Sequence, residues 1–590
     1  MQPKRYIKII LPLRLEWEPC YYVSGEVSTG QRVVVNFAGK RTIGVVSDTV
    51  VTPDIDPARI HPVLSIESGL DPVSPHEIEL WKFIADYYLC TIGEVYKAAY
   101  PSQKTYSEES RARRIERQKA LEAHAIEIWQ QRISRLQTRL DAKTADLERK
   151  HNDTERARIE EQRKGIIAEL QEAKNRLASL SGSLGITDDY SPLHANIPDC
   201  NMEDCLKKAL SSGKPVLLRS AGTDRINLYV QAASHALRKG RNVCILVNET
   251  AIAGQINDSL RNSFGDLLLT YNSQMTPEAR RRVSEAIRSG RPYILAGTRS
   301  AIFLPHDNLG LIIVENEESP FYKQSDSAPR YNARDCAVQL SRIHACSIIL
   351  GSVSPSLESI YNARSGRYFM LDRQPHGTTA GYTLVDIQKE KKKNGMQGPF
   401  SIKLLDAMKR SRSTALIRGF EKPEDLEGID AQILTIPQAA KTDMSRFTLT
   451  AILNADALFN PADFRSDEHA FQYLERMRSI CPRFIVQTRQ AAHQVFSLKT
   501  AEPLLEERKI FSLPPYTRMI EFRLHKTSKV SELGKALSTA GFSPMVLNSS
   551  VRIVLARDKN LLESKKRLRK AVEAFRSSSK TDVIADVDPV

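Results

Sequence analysis

The chain has 590 residues, which is enough for several domains, and 41% hydrophobic residues can supply their cores. The formal net charge of +15 indicates an anionic partner, with nucleic acid the first candidate and a plain basic surface the alternative. No apolar run approaches the ~20 residues of a membrane-spanning helix, and the start lacks a signal-peptide core, so we expect a cytoplasmic protein without membrane contact. The 8 cysteines lack the spacing of a metal site.

The first 185 residues divide into two predicted modules. Residues 1–104 contain short β-rich runs separated by turn residues, followed by a helical stretch at 77–88, which predicts a β-rich N-terminal domain. Residues 105–185 are nearly free of Gly and Pro. Their apolar residues recur at alternating spacings of four and three, as in a coiled-coil seam. Because turn-prone residues at 150–155 divide this seam, we predict an antiparallel coiled-coil hairpin; a rigid spacer or a parallel dimer seam is the alternative.

Residues 186–200 are predicted to be a linker, and residues 201–372 repeat the pattern of an apolar strand followed by an amphipathic helix. This pattern predicts an α/β domain with a parallel sheet and helices on both faces. The segment VLLRSAGTDRI at 216–226 has the layout of a phosphate-binding loop, which reads G-x-x-x-x-G-K-[ST]. In that register Arg225 replaces the lysine, Ile226 replaces the magnesium-binding hydroxyl, and Asp224 places a carboxylate against an anionic ligand.

Further motifs lie downstream of this loop. They read GTRSAIF at 297–303, LIIVENEE at 311–318, YKQ at 322–324, RYNARD at 330–335 and GSVSPSLES at 351–359. Together they resemble primosomal protein N-prime, the PriA helicase family, which restarts stalled replication forks and unwinds DNA 3′ to 5′ with ATP. The resemblance implies two RecA-like helicase lobes, an N-terminal domain that captures a 3′ DNA end, and a C-terminal α+β domain at 501–590. Family members carry a winged helix where this chain has the predicted hairpin.

The resemblance also identifies the remnants of a motor site. In the family the strand ends in Asp-Glu-Glu-His, where Asp holds magnesium and the first Glu orients the attacking water. Here Glu315 stands in place of the Asp and can still hold a metal. Asn316 stands in place of the first Glu and cannot accept a proton. The second Glu is retained as Glu317. Gly222, Arg225 and Glu315 therefore remain as candidates for binding ATP with magnesium.

Residues 373–500 resemble a shortened second lobe. IRGF at 417–420 matches the entry to the family's module of eight zinc-binding cysteines, but the chain passes directly to the next strand, so we expect no zinc. The family's arginine-finger motif is replaced by RMRSICPR at 476–483, in which only Arg483 stays in register. Glu315, Glu317 and Arg483 are thus the vestiges of the catalytic set.

The expected DNA contacts are better preserved. Arg299 and Ser300 lie in the segment that resembles the family's backbone-binding motif, and both suit phosphate oxygens. Lys323, Arg330 and Tyr331 interleave cations with an aromatic ring, as single-strand binding requires, although Tyr331 in a core and a solvated Lys323 are the alternatives.

Four altered parts act on the same phosphoryl transfer, and an arginine finger alone contributes ~10³–10⁵ in rate. We therefore predict a PriA-like primosomal DNA-binding protein that is defective in ATP hydrolysis. Forked or single-stranded DNA is its expected ligand, with primosome proteins and single-strand binding protein as possible partners. The alternatives are a functioning restart helicase with divergent motifs and a coiled-coil scaffold without a DNA role.

Overall fold

The computed structural model describes residues 4–49, 52–53, 55–67, 69–101, 127–146, 159–160, 162–163, 166–167, 169–170, 197–198, 200–248, 255–373, 381–422, 429–440 and 442–589. These residues belong to two compact units, of which the first comprises Met1–Gln103 with Ala195–Val590 and the second is Lys104–His194.

The second unit contains a helix at residues 127–146. Leu136 of this helix forms a small buried cluster with Ile166 and Leu170, and Trp129, Ile133 and Leu140 pack against it. Residues far apart in sequence therefore share one apolar seam, as in a chain that folds back on itself. The turn predicted at 150–155 and most of the second arm lie outside the described residues, so the hairpin stays a prediction.

The N-terminal domain is an antiparallel sheet with two helices. Its strand order is β2-β1-β4-β3-β5, with β1 (Arg5–Ile10), β2 (Cys20–Val23), β3 (Arg32–Phe37), β4 (Lys40–Asp48) and β5 (Ser65–Ile66). Helices α1 (Pro75–Tyr87) and α2 (Ile92–Ala99) each begin with a capping box, which satisfies the first free N–H groups of the helix. Trp81 of α1 is fully buried and stacks on Tyr96 of α2, with 5.4 Å between the ring centroids.

The first lobe is a seven-stranded sheet in the order β12-β6-β11-β10-β7-β9-β8, and all its strand pairs are parallel. Its elements are α3 (Asp204–Ser211), β6 (Val216–Arg219), α4 (Gly222–Arg238), β7 (Asn242–Leu246), α5 (Gln255–Phe264), β8 (Leu268–Tyr271), α6 (Pro277–Arg288), β9 (Ile294–Gly297), β10 (Leu309–Glu315), α7 (Ala333–Ile343), β11 (Ser347–Ser352), α8 (Leu357–Arg364) and β12 (Phe369–Asp372).

Both faces of this sheet are buried. Leu311 and Ile313 of β10 join an apolar cluster with residues of α4, while Ile312 and Val314 join a second cluster with residues of α7. Alternate side chains of a strand point to opposite faces, so a continuous apolar run is what a sheet covered on both sides requires.

The second lobe is a smaller parallel sheet of order β13-β19-β18-β16-β17. Its elements are β13 (Thr383–Asp386), α9 (Ile387–Lys393), β14 (Met396–Gln397), β15 (Phe400–Ser401), α10 (Ile402–Lys409), β16 (Thr414–Arg418), β17 (Gln432–Thr435), α11 (Ile436–Ala439), β18 (Leu449–Ile452), α12 (Ser466–Ile480), β19 (Phe484–Thr488) and α13 (Glu502–Ile510). The two RecA-like lobes predicted from the sequence are thus confirmed.

The C-terminal domain is an antiparallel sheet of order β21-β22-β20-β23, packed with two helices. It consists of β20 (Thr517–Leu524), α14 (Val530–Thr539), β21 (Pro544–Val546), β22 (Ser550–Ala556), α15 (Leu561–Ser579) and β23 (Val583–Val587). Two cations of the basic helix α15 contact the N-terminal domain. Lys565 donates to the Tyr87 carbonyl oxygen at 2.9 Å, and Arg569 pairs with Glu16 at 2.8 Å. Within the described residues, no helix is long and apolar enough to cross a membrane.

Candidate functional site

The candidate nucleotide site lies where three neighbouring parallel strands of the first lobe end. Strand β10 ends at Glu315, β6 runs into Ser220, and β11 lies between them. Helix α4 starts at Gly222, directly after the β6 loop, and carries Arg225 in its first turn. Ligand loops of open α/β sheets are found at this carboxyl edge, so the chain folds the candidate residues into the expected place.

Arg225 and Glu315 form a buried ion pair at the centre of this site. The Nε atom of Arg225 donates to Glu315 Oε2 at 2.8 Å, and its Nη2 donates to Oε1 at 2.5 Å. The same guanidinium donates to the Ser220 carbonyl oxygen at 2.6 Å and to the Asn316 side-chain oxygen at 3.2 Å. Arg225 is 3% and Glu315 7% exposed. Burial alone would lower the pKa of Arg225, but the charge of Glu315 overrides it and raises that pKa, so the guanidinium stays charged.

Tyr229 and Gly351 close the space around this pair. Tyr229 donates its hydroxyl to Glu315 Oε2 at 2.6 Å, and burial, followed by the charge of Glu315, raises the pKa of Tyr229. A Cβ atom at Gly351 of β11 would lie 1.7 Å from the Tyr229 hydroxyl and 2.8 Å from Arg225 Cδ. The carboxylate that would hold magnesium is therefore bonded to the cation that would hold phosphate, and protein atoms surround both.

The loop before α4 is held by a second set of pairs. Ser220 Oγ donates to Asp224 at 2.5 Å, and Arg373 donates to the same carboxylate at 3.2 Å and pairs with Glu203 at 2.8 Å. Although partial burial opposes it, the bonds from Ser220 and Arg373 lower the pKa of Asp224. A fixed negative charge thus stands in the first turn of α4, beside the loop, whereas a phosphate cradle presents free N–H groups and a cation there. Gly222 is exposed.

The residues after β10 have become structural. Asn316 takes a left-handed backbone with φ of 50°, which asparagine tolerates better than most residues. Glu317 is buried and accepts from Ser356 N at 2.7 Å, Ser359 Oγ at 2.9 Å and Arg334 at 3.2 Å. It therefore holds the amino end of α8, where Ser356 is the N-cap, rather than facing a substrate.

Glu318 carries a buried carboxylate oxygen without a hydrogen-bond partner in the described structure, although the residue as a whole keeps some exposure. Burial, followed by the charge of Glu317, raises the pKa of Glu318 to about 7. A carboxyl group with such a pKa can carry a proton at neutral pH, but the position of the water-orienting glutamate is occupied by Asn316, whose amide cannot accept one.

The second lobe meets this edge through α12, not through Arg483. The Arg483 side chain is exposed just before β19, whereas the charge of Arg476 acts on Glu318. A hydrogen bond also fastens the seam between the lobes, because Glu468 of α12 accepts from the Leu357 backbone N–H of the first lobe at 3.0 Å. The same carboxylate accepts from Arg508 of the second-lobe helix α13 at 3.1 Å.

Three of the five predicted DNA contacts lie inside the protein. Lys323 Nζ donates to the Arg330 and Val587 carbonyl oxygens at 3.0 and 2.6 Å and lies 2.8 Å from Asp586. Arg330 is buried and pairs with the same aspartate at 3.4 Å. These cations join the first lobe to β23 of the C-terminal domain, so the expectation that they contact DNA is corrected by their burial.

Tyr331 is likewise a core residue, packed edge-on against Phe303 with 5.1 Å between ring centroids, as the alternative interpretation held. Arg299 and Ser300 are half-buried at the start of a short 3₁₀ helix, and Arg299 donates to the Lys323 carbonyl oxygen at 3.2 Å. They keep access to solvent, and their contact with DNA stays a prediction. In the described parts of the chain, no group of three His, Cys, Asp or Glu side chains is placed to hold a metal.

Comparison with known proteins identifies the family. A model of the PriA 3′DNA-binding domain (3′BD) matches residues 8–101. The replication restart protein PriA of Haemophilus influenzae is 29% identical over 412 residues, covering 66% of this chain and 54% of that protein. These matches support a member of the PriA family.

A second PriA protein matches over a shorter span. The Chlamydia pneumoniae protein is 34% identical over 189 residues, covering 32% of this chain and 25% of that protein. The chain thus spans about half the length of the Haemophilus PriA and about a quarter of the Chlamydia pneumoniae protein. Among solved structures, RecG bound to a three-way DNA junction overlaps 54% of this chain and 46% of its own, with 13% identity and a TM-score of 0.32.

The PriA motifs alone did not reveal the partners that fill the site. Tyr229 lies one helical turn after Arg225, and that spacing is the one sequence signal that could have brought them together. Arg373, Ser356 and Arg476 come from distant elements, so only the fold shows that they reach the same edge of the sheet.

Proposed function

We propose that this chain is a DNA-binding member of the PriA family that acts without hydrolysing ATP. The single observation that carries the proposal is the Arg225–Glu315 ion pair at the place of the nucleotide. Phosphoryl transfer depends on a free cation for the phosphates and a free carboxylate for magnesium. Here each of these groups neutralises the other.

The energetics support exclusion of the nucleotide. Magnesium and a triphosphate would have to separate a buried ion pair, and an uncompensated buried charge costs about 3–5 kcal/mol. A tenfold change in affinity corresponds to about 1.4 kcal/mol, so this cost alone weakens nucleotide binding by roughly 10²- to 4 × 10³-fold. Asp224 adds repulsion, because its carboxylate is fixed in the first turn of α4, next to the place of the phosphates.

The DNA-binding part of the proposal rests on other features. Residues 8–101 match the family's 3′DNA-binding domain, and the chain carries an excess of 15 positive charges. Because relatives named replication restart proteins share this domain, forked DNA is the first ligand to test. Primosome proteins and single-strand binding protein, which the family resemblance implies as partners, remain part of the proposal.

One preparation of the full chain tests both halves. Binding of a fluorescent ATP analogue and ATP turnover are measured with and without forked DNA, and fork binding is titrated at two salt concentrations. We expect no turnover above background and a fork affinity that falls steeply with salt. DNA-stimulated turnover that disappears in Glu315→Ala would instead establish a working helicase site. Absence of salt-dependent fork binding would instead favour the alternative that the chain is a coiled-coil scaffold without a DNA role.

A further inference from the structure

A continuous basic groove runs across the first lobe at the amino ends of its strands, the edge opposite Glu315. Two adjoining cavities of about 420 and 510 Å³ form it, and they share Leu210, Ala345, Cys346 and Ser347 as a common wall. The cations that line the groove are Lys207, Lys214, Lys239, Arg241, Arg342 and Arg367. No carboxylate occurs among the described residues that line either cavity.

The topology of the sheet explains this clustering. Lys239 follows α4, Arg342 lies in the last turn of α7, and Lys214 stands in the turn between α3 and β6. In a parallel sheet the helices that connect the strands end at the amino edge, so their carboxyl-terminal cations converge there. Cations at helix ends offset the helix dipole, but that effect is satisfied within one turn and does not require six of them around one groove.

The local electrostatics show an unneutralised positive field. His235 lies in the groove wall, and burial, followed by the charges of Lys239, Arg238 and Lys207, lowers its pKa. Lys207 pairs with Asp204, but that carboxylate is almost fully exposed, and such surface pairs are worth little. The side chains of Lys214, Lys239 and Arg342 are exposed, which leaves them accessible to an external anion.

We propose that this basic groove binds the phosphate backbone of a duplex DNA arm. The inference deepens the proposed function and rests on it. Duplex DNA fits better than a single strand, because the described lining residues include no Phe, Tyr or Trp ring that could stack on bases, and the one imidazole, His235, is half-buried. An acidic peptide fits less well, since the apolar side chains of the floor, such as Met202, Ala232 and Leu311, are buried in the lobe core and offer no anchor.

This placement gives the lobe two opposite DNA-facing edges. The half-buried Arg299 and Ser300 follow β9 at the carboxyl edge, whereas the groove lies at the amino edge. A branched DNA has more than one arm, so a second backbone contact on the far side of the lobe would let one arm rest on the groove. Phosphate contacts position such an arm without reading its sequence.

The test compares two variants that change charge equally. The groove variant carries Lys214→Gln, Lys239→Gln and Arg342→Gln. The matched control carries Lys391→Gln, Lys392→Gln and Lys393→Gln in α9 of the second lobe, where all three lysines are exposed. Circular dichroism and thermal midpoints first establish that both variants fold as the natural chain does. Affinity for a forked DNA and for a blunt duplex is then measured by fluorescence anisotropy over a range of salt concentrations.

Each phosphate contact contributes about 0.9 to the slope of log affinity against log salt for duplex DNA. We expect the groove variant to lose roughly 2 to 3 from that slope and about 10- to 100-fold in fork affinity at low salt, while the control changes little. Equal losses in both variants, or none in the groove variant, would overturn the inference while fork binding by the natural chain still supports the proposed function. If the natural chain has no DNA affinity, both the groove inference and the proposed DNA-binding function are refuted. Binding of a polyglutamate peptide that needs the groove lysines, with unchanged DNA affinity, would assign the groove to an acidic protein partner.

Discussion

Removing the guanidinium from the candidate nucleotide site should destabilise the first lobe far more than removing the whole ion pair. In Arg225→Met, the Glu315 carboxylate stays buried with Tyr229 as its remaining hydrogen-bond partner among those described above. The lost partner made two bonds to that carboxylate, at 2.8 and 2.5 Å, and one to the Ser220 carbonyl oxygen at 2.6 Å. The variant therefore leaves a charge and a carbonyl group unsatisfied in the interior.

The expected magnitude follows from that burial. Breaking a buried pair by removing one partner costs about 3–5 kcal/mol, whereas replacing both partners with apolar residues is often neutral. The double variant Arg225→Met with Glu315→Leu also strands the Tyr229 hydroxyl, which costs about 1–3 kcal/mol unless Tyr229→Phe is added. We therefore expect a favourable coupling of at least about 3 kcal/mol between Arg225 and Glu315 in the double-mutant cycle.

Hydrogen exchange and urea denaturation together measure this coupling. Exchange in peptides that cover β10 and the start of α4 reports local opening of the site, and urea midpoints report the global effect. A coupling below about 1 kcal/mol would refute the conclusion that the pair fastens the lobe. A rise in the thermal midpoint of the natural chain with Mg-ATP would refute the exclusion of the nucleotide, because a ligand that binds the folded state stabilises it.

Two further outcomes follow from other buried charges. Folded Glu318 keeps its proton to about pH 7, whereas the unfolded chain ionises near 4.5, so the folded protein binds more protons in that interval and loses stability as pH rises through it. Each pKa unit corresponds to about 1.36 kcal/mol, so Glu318→Gln should gain up to about 3 kcal/mol at pH 8 and nothing at pH 4, measured as urea midpoints. Lys323→Met should cost about 1–3 kcal/mol, because it leaves the Arg330 and Val587 carbonyl oxygens without their donor and Asp586 with Arg330 as its buried partner, and it should speed hydrogen exchange in β23. Weaker DNA binding without loss of stability would restore the surface role first expected for Lys323.

The elements of this protein follow closely from its sequence pattern. The apolar run at Leu311–Val314 predicted a strand buried on both faces, and β10 is such a strand, with alternate side chains in two different apolar clusters. Hydrophobic periodicity is a local property of the sequence, so it predicts a strand or helix without knowledge of the fold. The predicted loop before α4 was also placed correctly, because a strand, a short loop and a helix are adjacent in sequence.

The contacts of individual side chains could not be predicted from the sequence pattern. Lys323 and Arg330 match a motif of cations and aromatics that suits DNA, yet their partner Asp586 lies more than 250 residues later in the chain. Whether a cation faces solvent or a buried carboxylate depends on that distant strand. Composition and spacing cannot decide it, because the same residue types serve both purposes.

The retained motif residues also show that conservation of a residue type does not preserve its task. Glu317 occupies a motor position but holds the amino end of α8 through Ser356 and Ser359. Glu315 occupies the magnesium position but neutralises Arg225. In a working motor such groups must stay uncompensated until the nucleotide arrives, which costs stability. Once hydrolysis is no longer required, any partner that satisfies them stabilises the lobe, so internal pairs are the expected result of releasing these residues from catalysis. The hypothesis therefore predicts that the internal ion pair of the site and the hydrogen bond between the lobes occur together, because both restrict the motions that a nucleotide cycle needs.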